Sequence, residues 1–287
     1  MIKIKDKKIY IVIFAVCLLI IAYSVMNDAN LFYIVKNFIF NSEYRNAPYL
    51  AQDNFFPDMS IFEVIVQVFK NYYWEFDVTL IFGTNLFQII TPLICSFIGI
   101  KFYTYLKTIL QMKFYRHSSY NKTLLKEILS KSFYTAISFF CAYLVFYFIS
   151  LTMSQGRLNG SVSRDLFASI LGYDLSQSQP YLYYIIEGFI RFFMVPFVYT
   201  FFSCSLCLVS NNQKTVLFIT NMYYYGLSAL AFGLFYITQN AIYINPSSIM
   251  VIGSFNGLNS LLLILIGSIP LWIGLIIIIW RGKNVEI

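Results

Sequence analysis

Residues 9–25 read Ile-Tyr-Ile-Val-Ile-Phe-Ala-Val-Cys-Leu-Leu-Ile-Ile-Ala-Tyr-Ser-Val, seventeen positions without a charged side chain. Lys3, Lys5, Lys7 and Lys8 stand just before them. A bilayer core takes roughly 20 apolar residues per helix, so the run reads as a membrane span with a basic flank. A secretory signal begins in the same way. However, Ala22-Tyr23-Ser24 is a poor cleavage site and the apolar stretch is long for a signal core. The run is therefore expected to be a retained signal anchor.

Five further apolar runs lie downstream, at 79–100, 133–151, 182–209, 216–237 and 258–280. The composition agrees: of 287 residues, 59% are apolar, 20% aromatic and 11% charged, and the mean hydropathy is +0.69. A water-soluble domain carries roughly 25% charged residues, and a soluble fold of this length could not bury so much apolar surface. The expected architecture is an all-α integral membrane protein with six transmembrane helices, forming one domain over residues 1–287. The net charge of +7 would suggest nucleic acid in a soluble protein. Here the cations flank apolar spans, so membrane lipids are the expected partner and nucleic acid is not.

The cations also set an orientation. With the N-terminus inside, the inner segments hold fourteen basic residues and the outer ones five: Lys36, Arg45, Lys70, Arg157 and Arg164. That is a strong positive-inside bias, and it places both termini in the cytoplasm. The loop 26–78 then lies outside. Within it Ser60 and Glu63 form a capping-box pattern opening a helix over 61–76, apolar but too short and too charged to span. This is expected to lie on the outer leaflet. A second outer helix is expected from Asp165, as its cap, to Gly172, its stop. In the inner loop 101–132, Asn121 looks like a helix cap. Leu124, Leu125, Ile128 and Leu129 then recur at helical spacing with Lys122 and Lys126 on other faces, a short amphipathic cytoplasmic helix.

Catalytic sets are scarce. His117 is the one histidine, so neither a metal site built from His ligands nor an intramembrane Ser-His dyad is expected. There is no GxSxG elbow and no GxxxxGK[ST] phosphate loop. No cofactor is expected in this chain. Cys17, Cys95, Cys141, Cys204 and Cys207 all lie in apolar runs. The Cys204-x-x-Cys207 spacing suits thiol exchange, but two small packing residues facing the reducing side fit it better. Glu187 and Arg191, at i and i+4 in the fourth run, form an intramembrane ion pair that is either functional or structural. Thr84, Asn85, Gln88, Thr91, Pro92, Cys95 and Gly99 share a helical face in the second run, as Asn221, Tyr225 and Ser228 do in the fifth. Such faces line a substrate path or pack against neighbouring helices.

Six spans, inner termini, a basic inner loop and no nucleotide site together resemble the permease subunit of a bacterial type-2 ABC exporter. The segment Phe114-Tyr115-Arg116-His117-Ser118-Ser119-Tyr120-Asn121-Lys122 is similar to that family's Arg-Ser-rich loop before its coupling helix. Asn245-Pro246-Ser247 is similar to an Asn/Ser-Pro signature after the fifth span, and 238–257 has the length of its half-inserted helices. The resemblance implies ATPase coupling through Arg116, His117, Tyr120, Asn121, Lys122 and Leu125. It implies a second permease chain, two ABC ATPase subunits carrying ATP and Mg, and residence in the bacterial cytoplasmic membrane. The substrate would be amphipathic or hydrophobic, such as a peptide, antibiotic or lipid. Two departures stand out: the long elbow helix before the first span is missing or fused to that span, and the outer loop is large, as in peptide- or antibiotic-handling members. The competing expectations are an ion- or proton-coupled secondary transporter using Glu187 and Arg191, and an intramembrane enzyme.

Overall fold

The computed structural model describes residues 2–73, 75–107, 120–159, 171–238, 246–250 and 260–283. Among the described residues every regular element is helical. The first run lies within α1 (Ile2–Asp28). Asn30, in the left-handed region at φ 51, separates α1 from α2 (Leu31–Phe40); Asn tolerates that conformation better than most side chains. Two short helices, α3 (Ser42–Arg45) and α4 (Pro48–Gln52), lead to α5 (Ile61–Tyr72).

α5 begins with the capping box its sequence suggests. The Ser60 amide donates to the Glu63 carboxylate at 2.8 Å, and the Glu63 amide donates to Ser60 Oγ at 3.3 Å. The Ser60 amide and hydroxyl, both donating to the carboxylate, hold the Glu63 carboxyl below the usual carboxylate range. Val64 and Val68 face inward, while Gln67 and Asn71 bond the Asp53 carbonyl.

The run at 79–100 is not one helix. It divides into α6 (Phe76–Thr84) and α7 (Phe87–Tyr105), with a turn at Asn85 and Leu86. Gly83, Thr84 and Asn85 are weak helix formers. Thr84 Oγ1 also bonds back to the Leu80 carbonyl at 2.7 Å, an interaction that bends helices.

α8 (Tyr120–Met153) is a single helix of 34 residues, about 50 Å long at 1.5 Å per residue. The amphipathic helix expected at 121–129 is its first part, not a separate element. No Gly or Pro interrupts 120–153, so nothing ends the helix before the span. Leu124 and Ile128 are buried against the bundle. Lys122 and Lys126 are exposed, Leu125 is half-buried and Leu129 is exposed. The apolar face is therefore shared between the chain's own core and the surface.

After Gly172 (φ 95) come α9 (Tyr173–Ser178) and α10 (Pro180–Phe189). The outer helix expected from Asp165 lies, up to residue 170, outside the described residues. α10 runs through a π-helix (Ile190–Met194) into α11 (Val195–Leu206). Pro196 explains the wider turn: without an N–H it cannot bond the Phe192 carbonyl, and the ladder relaxes just before it. α12 (Gln213–Thr238), a 3₁₀-helix (Pro246–Met250) and α13 (Ser260–Lys283) complete the order.

Among the described residues, five helical stretches are long and apolar enough to cross a membrane: Lys8–Asp28, Phe87–Tyr105, Lys122–Met153, Pro180–Leu206 and Ile264–Arg281. The run at 216–237 forms α12, which has the length at 26 residues. Thr220, Asn221 and the triplet Tyr223-Tyr224-Tyr225 dilute its apolar content. The chain is thus an all-helical protein of multi-pass membrane type.

α11 sits at the centre, packed against α7, α8 and α13, and α1 lies on α8 and α6. A Cβ on Gly99 would fall 2.0 Å from Ser203 Oγ, so α7 and α11 touch through bare backbone, as small residues permit. Polar bonds tie the helix ends. Tyr73 donates to the Val25 carbonyl, Tyr181 to the Gly156 carbonyl, and Tyr147 to the Tyr181 carbonyl at 3.0 Å. The end of α1, the end of α8 and the starts of α6 and α10 therefore share one face of the bundle. At the opposite face Tyr103 bonds the Asn211 carbonyl at 2.5 Å and Gln213 bonds Thr104 at 2.9 Å.

Candidate functional site

Glu187 and Arg191 meet where α10 passes into the π-helix. Arg191 Nε donates to Glu187 Oε1 at 3.0 Å and Nη2 to the same oxygen at 2.5 Å. Both side chains are out of solvent, at 0% and 2% exposure. The third arm of the guanidinium, Nη1, donates to the Ile249 carbonyl of the 3₁₀-helix. Arg191 thus fastens the segment before α13 to the fourth helical run. The π-turn carries Arg191 itself, and π-turns recur where a helix must place a functional side chain.

The walls of this site are aromatic. The Tyr143 ring lies against Gly188, where a Cβ would come within 1.9 Å of it. Tyr143 stacks on Phe192 with centroids 4.7 Å apart, and its hydroxyl donates to the Tyr184 carbonyl at 2.7 Å. Glu187 Oε2 is buried and has no hydrogen-bond partner among the described residues. An ion pair this dry carries a large desolvation penalty, offset by its charge-assisted bonds. The arrangement offers one buried carboxylate oxygen able to accept a proton or a cationic or hydrogen-bonding group.

The polar faces of the second and fifth runs come together. α12 runs antiparallel along α7, with Asn211 opposite Tyr103, Asn221 opposite Ser96 at 3.1 Å, and Tyr224 opposite Gln88 at 2.6 Å. Pro92 gives this pairing its chemistry. A proline inside a helix leaves the carbonyl four residues earlier without its donor, and that carbonyl is Gln88. Tyr224 supplies the missing donor, and Tyr225 donates to the next carbonyl, Ile89. Freed carbonyls at membrane depth are satisfied in this way by a neighbouring helix.

The other expected path residues are turned toward their own helices. Thr91 bonds the Phe87 carbonyl at 2.6 Å, Ser228 the Tyr224 carbonyl at 2.9 Å, and Gln88 bonds Asn85 at 2.7 Å. Thr84 and Thr91 are buried, Asn85 and Gln88 half-buried. The Cys204-x-x-Cys207 pair is buried and unoxidised, with Cys207 Sγ donating to the Gly99 and Ser203 carbonyls. Arg116 and His117 lie outside the described residues, as do the side chains of Tyr120 and Asn121.

One polar cluster has no counterpart in the sequence reading. The Asn159 amide donates to both oxygens of buried Asp77 at 3.0 and 3.2 Å, and its side chain to Glu75 at 2.5 Å. With Phe76 bonding the Arg157 carbonyl at 2.7 Å, it clamps the start of α6 to the turn after α8. Asp77 next to an apolar run was the available signal, since a carboxylate there needs a partner.

No protein-family model, no curated protein and no solved structure matches this chain. Fold and site define a class: an all-helical membrane protein of multi-pass type with a buried Glu–Arg pair in a π-turn.

Proposed function

We propose that this chain is the permease subunit of an ATP-driven exporter, forming half of a transmembrane path for an amphipathic or hydrophobic substrate. In this reading α12 is the sixth span and both termini are cytoplasmic. Its antiparallel register along α7 supports that count. Because Tyr224 and Tyr225 place their hydroxyls on α7 carbonyls, part of its polar content is used inside the bundle. Two ABC ATPase subunits, holding ATP and Mg, and a second permease chain complete the assembly in a bacterial cytoplasmic membrane.

The observation that carries the reading is α8. Its first turns follow the basic inner loop, and the same uninterrupted helix reaches the opposite face of the bundle. A push on residues 120–125 is transmitted as a rigid-body movement, because no kink absorbs it. Coupling then requires no separate element: α8 is itself the lever. A second reading rests on the unpartnered Glu187 Oε2: an ion- or proton-coupled carrier using Glu187 and Arg191.

The test is made on purified complexes. Arg116→Glu and Leu125→Asp should leave insertion and permease dimerisation intact, yet release the ATPase or uncouple its hydrolysis from transport. The chain alone should release no phosphate from ATP. Full transport by both variants, or transport driven by a proton gradient without nucleotide and abolished by Glu187→Gln, would replace the exporter reading with the carrier.

A further inference from the structure

α2 is apolar on two opposite sides. Leu31, Ile34 and Phe38 are buried, and α2 contacts α5. Phe32, Tyr33, Lys36, Ile39 and Phe40 are exposed, with Phe32 at 58%, Tyr33 at 62% and Phe40 at 81%. At 100° per residue these five fall within an arc of about 120°, opposite the buried three. Lys36 is the one charged side chain in that arc. A helix with apolar side chains on every side belongs in a protein core or in a membrane, not in water.

The place of α2 in the chain says which. It has 10 residues and rises about 15 Å, too little to span a bilayer. Only Ala29 and Asn30 separate it from α1, whose candidate span ends at Asp28. Asn27, Asp28 and Asn30 before it and Asn41, Ser42 and Glu43 after it are polar, so α2 is an apolar stretch between two polar rims. Tyr73, just after α5, donates to the Val25 carbonyl of α1. The end of α5 therefore lies at the level where α1 leaves the hydrocarbon, and α2 begins at that level too. The backbone of α2 is closed on itself: the Ile34 amide donates to the Asn30 carbonyl and the Asn41 amide to the Asn37 carbonyl, both at 2.9 Å. Asn37, on the flank of the exposed arc, spends its side-chain amide on the Tyr33 carbonyl at 2.9 Å. Such a helix can enter an apolar phase without leaving donors open.

We infer that α2 lies in the bilayer interface as an in-plane anchor, its partner being the lipid surface of the leaflet at which α1 ends. A contiguous exposed apolar face marks an interaction surface, and the nearest apolar phase is the one α1 has just left. Phe32, Ile39 and Phe40 reach the acyl chains and Tyr33 sits among the headgroups. Lys36 runs its stem along the apolar surface and keeps its ammonium at the phosphates. Through its contact with α5, α2 holds the segment between α1 and α6 down on the membrane. The exporter reading contributes only the name of that leaflet, the outer one.

The test uses the full chain in lipid nanodiscs. Cys141 is exposed and the other four cysteines are buried. A Cys141→Ser background therefore accepts one spin label at a time, at Phe32→Cys, Ile39→Cys, Phe40→Cys or Glu43→Cys. Power saturation reads collisions with oxygen, which concentrates in lipid, and with a neutral nickel chelate, which stays in water. Oxygen should outweigh nickel at 32, 39 and 40, and nickel should outweigh oxygen at 43. Phe32→Asp with Lys36→Asp, which charges the exposed arc and leaves the buried side intact, should reverse the ratio at 40. Nickel outweighing oxygen at 32 and 40 in the parent chain would place this face in water and overturn the assignment. Weak collisions with both reagents would show a protein cover, a second copy or another chain, and would overturn it too, as would a ratio at 40 unmoved by the two aspartates. No nucleotide or ATPase enters the measurement, so these outcomes leave the exporter reading untouched.

Discussion

Replacing Arg191 with Met is expected to be among the most damaging single changes in the bundle. The guanidinium makes two bonds to Glu187 Oε1 and one to the Ile249 carbonyl, at 0% exposure. Removing it leaves a carboxylate at 2% exposure without its counter-charge, and one carbonyl without a donor. Breaking a buried pair from one side costs about 3–5 kcal/mol, which lowers the unfolding midpoint by roughly 10 °C in a chain of this size. Glu187→Gln should destabilise less, because an amide still accepts one bond. The double change, Glu187→Gln with Arg191→Met, removes both charges together and should recover more than half of the Arg191→Met loss. Thermal unfolding of the four proteins in mild detergent, followed by intrinsic fluorescence, closes the cycle. Additivity of the two single effects to within about 0.5 kcal/mol would refute the pair as an energetic unit, whatever its geometry.

Two further outcomes follow from local chemistry. Tyr224→Phe leaves the Gln88 carbonyl without its donor and should cost ~1 kcal/mol. Pro92→Ala restores an N–H at position 92, so the same Tyr224→Phe change should cost measurably less in that background; an equal loss in both would show that the tyrosine does not answer the proline. At the start of α5, the Glu63 carboxylate is the bonded form and its pKa is lowered. Its capping contribution is therefore present above the unfolded value and lost as pH falls through the folded one. The protection of amides 61–64 against hydrogen exchange should weaken as pH falls through the lowered titration of the folded carboxyl, and Glu63→Ala should remove that pH dependence.

The apolar runs were legible because lipid imposes a coarse rule on composition, and length with hydropathy is enough to apply it. The Ser60–Glu63 box was legible because it is closed within four residues. The break at Asn85 and Leu86 was not, since weak helix propensity becomes a break only when packing selects one. The continuity of α8 was present as the lack of any Gly or Pro in 120–153, but the spacing of Leu124, Leu125, Ile128 and Leu129 drew the reading toward a separate helix. The π-turn had its signal in Pro196. A proline in an apolar run predicts some irregularity; which kind depends on the side chains around it.

Sequence by itself determined that this chain is helical, apolar and suited to lipid, and that Glu187 and Arg191 can pair four residues apart. These are local properties, set by side-chain type and helical period. The tertiary structure decided the rest: that Arg191 also reaches the Ile249 carbonyl, that Tyr224 meets the carbonyl Pro92 frees, and that Asn159 holds Asp77. Those partners stand 58, 136 and 82 residues apart in the chain. No periodicity reaches that far; only the packing of helices against one another brings such groups within bonding distance.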